Sequence, residues 1–87
     1  MIEAGVAQGL SRASATQLTL QTALGAARLA LDSDVDVAEL RRRVTSPNGT
    51  TEQAIQSFEA DNLRQIVDRA MAACTRRSIE LARELGE

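Results

Sequence analysis

SRASATQLTLQTALGAARLAL, residues 11–31, reads as one long helix with two apolar lines. Ser11 is placed as its N-cap, with the helix running over about 12–31. Leu18, Thr22, Gly25 and Leu29 fall on one line; Leu20, Leu24, Ala27 and Leu31 fall on another. Gln17, Gln21 and Arg28 are the only strongly polar strip in the middle. A helix apolar on two sides is buried against two surfaces. Gly25 costs up to ~1 kcal/mol of helix propensity relative to Ala, and close approach of another backbone is the natural reason to keep it. The reading is therefore a helix that meets another subunit.

Composition supports this. The chain has 87 residues, enough for one small domain with thin burial. Phe58 is the single aromatic residue, so the core must come from Leu, Ile, Val, Met and Ala. Such a core buries little area per residue, and a partner chain is expected. Formal net charge is -2, and all ten basic residues are Arg. A balance this close to neutral argues against a general nucleic-acid binder. With no His and only Cys74, the usual zinc sets, a His-based dyad and an internal disulfide are excluded. Cys74 sits in an apolar helical stripe and reads as a small buried hydrophobe. No run approaches the ~18 apolar residues of a membrane span, and no secretory signal is visible; a cytoplasmic chain is the expectation.

On the N-terminal side of the long helix, Ile2, Val6 and Leu10 repeat at four-residue spacing, and Gly9 fits a helix C-terminus. No cap precedes them, so sequence upstream of Met1 is expected. On the C-terminal side, Asp32-Ser33-Asp34 ends the helix. Asp36 with Glu39 has capping-box spacing before a short helix over about 37–43, whose buried side is Val37, Leu40 and Val44. The basic run Arg41–Arg43 fits a solvated helix C-terminus, where cations are favoured; the alternative is a patch for an anionic cofactor or a partner's carboxylates.

Next comes a polar stretch, Thr45-Ser46-Pro47-Asn48-Gly49-Thr50-Thr51. A helix follows from Thr50 or Thr51 to about Glu59, with Ala54, Ile55 and Phe58 on its apolar side. Thr50 and Gln53 have capping-box spacing. Asn62 with Gln65 can cap a final helix over about 63–85, which repeats Leu63, Ile66, Val67, Ala70, Met71, Cys74, Ser78, Leu81, Ala82 and Leu85. That helix is too long to be covered by the rest of so small a chain. It is the second candidate for inter-subunit packing. The class is all-α, with about five helices.

The polar stretch precedes a helix, whose first turn carries unpaired N–H groups and partial positive charge. A carboxylate or phosphate can be held there. Pro47 fixes the approach of the chain, and Asn48 and Gly49 tolerate turn or left-handed conformations. No general base accompanies the hydroxyls, so a Ser or Thr nucleophile is not expected. On these grounds alone, a plain capped loop and an anion-binding loop both stand.

The pattern Leu40-x3-Val44-Thr45-Ser46-Pro47-Asn48-Gly49-Thr50-Thr51-x2-Ala54-Ile55-x2-Phe58-Glu59 resembles the signature of pyrroline-5-carboxylate reductase. Residues 3–31 and 60–86 resemble that family's long helical region and terminal helix, so the likeness covers nearly the whole chain. The resemblance implies the C-terminal dimerisation and substrate-binding domain, residues 1–87, of a two-domain oxidoreductase. Its N-terminal Rossmann-type domain has no counterpart in this sequence. The parent enzyme would reduce 1-pyrroline-5-carboxylate to L-proline with NADPH or NADH, the last step of proline biosynthesis.

It further implies an interlocked homodimer through helices 12–31 and 63–85, which can build higher oligomers in some members. By matching positions, Ser46, Asn48, Gly49, Thr50 and Thr51 would bind the substrate, with the N–H groups around Gly49–Thr51 on its carboxylate. Thr51 would be catalytic, its hydroxyl facing the ring nitrogen. Asn48 departs from the glycine most common there. The isolated chain would bind no dinucleotide well and would be inactive. Apart from a small-molecule carboxylate, no nucleic-acid or membrane partner is implied. Two other readings stay open: a stand-alone helical dimerisation module without chemistry, and a small-carboxylate binding domain that senses rather than reduces.

Overall fold

The computed structural model describes residues 1–86. It contains five α-helices: α1 (Ile2–Ala7), α2 (Arg12–Asp32), α3 (Val37–Arg43), α4 (Thr50–Ala60) and α5 (Leu63–Gly86). Among the described residues there is no strand. The chain divides into two units, Met1–Val44 and a second beginning at Thr45.

In the first unit, α1 packs against the start of α2. Gly9, at φ 108°, ends α1 in the left-handed region. The Leu10 N–H reaches the Gly5 carbonyl at 3.1 Å and the Gly9 N–H reaches that of Val6 at 3.0 Å. This pair of bonds is a Schellman stop, and it turns the chain straight into the next helix. The Ser11 hydroxyl then caps α2 by accepting from the Ser14 N–H at 3.1 Å. The close approach between helices falls at Gly5: a Cβ there would lie 3.2 Å from that of Ala15, the one buried residue among those described, at 1% exposure. Gly25 meets nothing within its own chain. Arg12 also grips both carboxylate oxygens of Glu3, at 2.7 and 3.0 Å, on the exposed side of this joint.

Asp36 caps α3 by accepting from the Glu39 N–H at 3.0 Å. The reciprocal half of the expected capping box is not the one drawn: the Glu39 carboxylate turns forward, to Arg42 at 2.8 Å and Arg43 at 3.4 Å. Two cations within one turn attract it more strongly than a neutral N–H. A shallow groove of about 290 Å³ separates Ala26, Leu29 and Ala30 of α2 from Val37, Leu40 and Val44. Leu40 is half-buried, whereas Val37 and Val44 remain exposed.

In the second unit, Asn62 joins α4 to α5. At φ 61° its N–H closes α4 on the Glu59 carbonyl at 3.2 Å, and its own carbonyl accepts from Ile66 at 3.0 Å to open α5. Arg64 bridges back to Glu59 at 2.9 Å. Every described residue of α5 is exposed, including Leu63, Ile66, Val67 and Met71. Cys74, expected to be buried, is exposed as well. The reason is common to all of them: within its own unit, α5 has only α4 to pack against, and 24 residues of helix extend well past an 11-residue neighbour.

Candidate functional site

The loop before α4 is a turn locked from two sides. The Ser46 carbonyl accepts from the Gly49 N–H at 3.0 Å. Pro47 holds the second position, where its fixed φ is favoured, and Asn48 takes the third at φ 61°. A proline followed by a left-handed residue is the pattern of a type II turn, and Asn is among the few residues that tolerate the third position. The second lock is Glu52. Its carboxylate folds back to accept from the Asn48 N–H, and the side chain is half-buried where most of its neighbours are exposed.

Gly49 is the N-cap, extended at φ -86° and ψ 179°, and α4 begins at Thr50. A Cβ on Gly49 would stand 3.1 Å from the Ser46 carbonyl oxygen, closer than the turn accommodates without shifting. Glycine is needed here for space, not for a left-handed angle. The expected capping box on Thr50 and Gln53 does not form; the helix is capped one residue earlier, at Gly49, with no side-chain cap bond. The Gly49 carbonyl accepts from Gln53 at 3.3 Å, and the acid three positions on, Glu52, reaches past the cap to the Asn48 N–H. Glu52 is the loop contact that the sequence reading passed over. The signal for it was the spacing Gly49-x-x-Glu52, hidden by the adjacent Thr50-x-x-Gln53.

These bonds sort the donors. The N–H groups of Asn48 and Gly49 are used inside the loop. Those of Thr50, Thr51 and Glu52 lie in the first helical turn, ahead of the first intrahelical bond, and the residues four back from them belong to the turn and not to the helix. Ser46, Asn48, Thr50 and Thr51 are all exposed, so one short segment gathers the five residues singled out for substrate. Gly49 sits among them half-buried, as spacer rather than donor. The arrangement can hold a carboxylate by two neighbouring N–H groups, helped by the partial positive charge of an 11-residue helix.

The arginine run is engaged within its own helix. Arg42 lowers the Glu39 carboxyl below its ordinary range by hydrogen bonding and by charge, with Arg43 adding to the effect. This favours the reading of a solvated, dipole-satisfying helix end. Among the described residues nothing forms a dinucleotide cradle: there is no strand, and the glycines do not fall in a strand–turn–helix pattern.

No helix among the described residues is long and apolar enough to cross a membrane. The family model for pyrroline-5-carboxylate reductase dimerisation matches residues 1–81. Pyrroline-5-carboxylate reductase of Pseudomonas aeruginosa is 60% identical over 87 residues, covering 100% of this chain and 32% of that protein. The enzyme of the same name from Methanosarcina acetivorans is 40% identical over 97% of this chain and 31% of its own length. Among solved structures, a Coxiella burnetii pyrroline-5-carboxylate reductase superposes with a TM-score of 0.88 at 49% identity, over 92% of this chain and 30% of that one. Plasmodium falciparum pyrroline carboxylate reductase, solved with NADP bound, gives 0.81 at 36% identity, over 83% of this chain and 29% of that one. The chain thus spans about a third of the length of these relatives. With its all-helical architecture and its Pro47 turn before α4, the chain belongs to the pyrroline-5-carboxylate reductase dimerisation family.

Proposed function

We propose that residues 1–87 are the dimerisation and substrate-positioning domain of an enzyme that reduces 1-pyrroline-5-carboxylate to L-proline, the last step of proline biosynthesis, in the cytoplasm. The observation that carries the reading is the pair of first-turn N–H groups at Thr50 and Thr51 behind a locked turn, in a chain 60% identical throughout to a protein named for this reaction.

The substrate carboxylate sits on the Thr50 and Thr51 N–H groups. This fixes the ring so that its nitrogen faces the Thr51 hydroxyl. A hydrogen bond from that hydroxyl orients the C=N bond and favours its protonated form, the better hydride acceptor. Ser46 supports the carboxylate through its hydroxyl. The hydride comes from NADPH or NADH bound by the rest of the full-length protein. The chain alone therefore positions substrate without turning it over. The exposed apolar faces of α2 and α5 supply the homodimer contact.

The test is dinucleotide oxidation by the full-length protein on adding pyrroline-5-carboxylate. Thr51→Val is expected to cut turnover by about 10²-fold, in the range of losing a donor at a reacting centre, and to leave the dimer intact. Equal rates for variant and wild type would remove Thr51 from the mechanism. No turnover by the wild type would reject the reductase reading itself.

A further inference from the structure

Five consecutive N–H groups, from Asn48 to Glu52, open along the turn and the first helical turn. A carboxylate has two oxygens and needs two of them in a fixed relation. Which of them are on offer is decided by how the others are used. Gly49 is taken by Ser46 at 3.0 Å, a bond internal to the turn. Asn48 is taken by Glu52, a residue with no place in the proposed reductase chemistry.

We infer that Glu52 is a positioning residue: its carboxylate, holding the Asn48 N–H, keeps the turn in register and leaves the first-turn N–H groups of Thr50, Thr51 and Glu52 as the donors presented to a carboxylate ligand. This rests on the reductase reading for the identity of the ligand, but not for the bond itself. Three features of the site support it. Asn48 sits at φ 61°, a left-handed angle that Asn tolerates and that an anchored N–H helps to keep. The Glu52 side chain lies at the third position of α4, from which a long acid can reach back over the helix start. A negative group placed there also satisfies the helix end, so the latch is electrostatically favoured. Without the latch, Asn48 can relax towards ordinary backbone angles. The Gly49 bond then weakens, and Thr50 and Thr51 lose their common orientation. The effect of Glu52 passes through the loop, and Glu52 itself does not touch the ligand.

The bond needs an acceptor, not a charge, and this separates positioning from simple electrostatics. Glu52→Ala removes the acceptor; Glu52→Gln keeps an amide oxygen at the same reach. In the full-length protein, Glu52→Ala is expected to raise KM for pyrroline-5-carboxylate about tenfold, the scale of one hydrogen bond, with kcat within about twofold and KM for the dinucleotide unchanged. Glu52→Gln is expected to restore most of the lost affinity.

A second readout does not depend on activity. With asparagine labelled selectively in the same protein, the Asn48 amide proton is expected upfield in Glu52→Ala and returned in Glu52→Gln, while Asn62 stays in place as the internal control. An unmoved Asn48 signal in Glu52→Ala overturns the proposal whatever the kinetics show. So does a lower KM in both variants, which would mean that the Glu52 charge repels substrate, or a Gln variant as impaired as Ala. If the wild type does not reduce pyrroline-5-carboxylate but the Asn48 signal still follows the acceptor at position 52, the positioning role stands and the reductase reading fails.

Discussion

Asn48 and Gly49 stand side by side in the loop, and each is fixed by a different constraint. Asn48 carries the left-handed angle, φ 61°, while Gly49 is extended and is confined by the Ser46 carbonyl. Their substitutions should therefore behave differently. Asn48→Ala keeps a Cβ in the left-handed region but loses the short polar side chain that makes this region tolerable to Asn, and is expected to lower stability by about 1 kcal/mol, whereas Asn48→Gly should stay close to wild type. Urea titration of the two variants measures the difference; equal midpoints would mean that the turn is free to rearrange. Gly49→Ala needs no unusual angle, yet its Cβ would sit 3.1 Å from the Ser46 oxygen. It is expected to spread the turn and weaken substrate more than it weakens the fold. A rise in KM with little change in urea midpoint is the outcome to look for. In the sequence, both residues were legible as turn formers, but their division of labour was not. Asn and Gly are both tolerated at left-handed positions, and only the placed Ser46 carbonyl shows which of them needs the space.

The helices themselves were legible because their ends are written in side chains. Ser11 and Asp36 cap α2 and α3 as their spacing implies, and Gly9 closes α1 with a full set of stop bonds. Ser11→Ala is expected to cost about 1 kcal/mol, the usual value of such a cap, read from the urea midpoint. The cap of α4 was harder to place, because Thr50 and Gly49 are both acceptable caps and each has an acid or amide three residues on. The choice falls to Gly49 because Pro47 and the Ser46–Gly49 bond set the turn one residue earlier than Thr50 would require.

The pH response of α3 also belongs at this scale. The Glu39 carboxyl is lowered by its hydrogen bond to Arg42, then by the charges of Arg42 and Arg43. A carboxyl lowered in the folded state contributes stability above its unfolded value and loses it as pH falls through the folded one. The loss is therefore expected below 4.5, the ordinary glutamate value, and not between pH 6 and 8. Glu39→Gln should flatten that part of an acid titration followed by circular dichroism. Because the pair is exposed, added salt should flatten it too.

At the scale of the whole molecule, the decisive fact is how little the chain buries. Ala15 is the one buried residue among those described, while Ile66, Val67, Met71, Ile79 and Leu85 of α5 stand exposed to between 47% and 86%. The apolar stripe was plain in the sequence; the surface that covers it was not, because periodicity marks a face without naming its partner. Cys74 shows the same gap: its place in the stripe was read correctly, yet the chain alone leaves it open.

Magnitude shows that the stripe matters. Full burial of such side chains is worth about 1.5–3 kcal/mol each. Covering the exposed half of five of them is then worth roughly 4–8 kcal/mol, comparable to the whole stability of a small domain. A chain this short of interior is expected to fold and associate in one step, so that stability depends on protein concentration. Val67→Asp places a charge in the middle of the stripe. It is expected to abolish the dimer in sedimentation and to lose helical signal in the same concentration range, whereas Arg69→Asp, a reversal of charge on the polar side, should do neither. A folded Val67→Asp monomer with full helical signal would show that the chain carries its own core, and an intact Val67→Asp dimer would place the contact on another face.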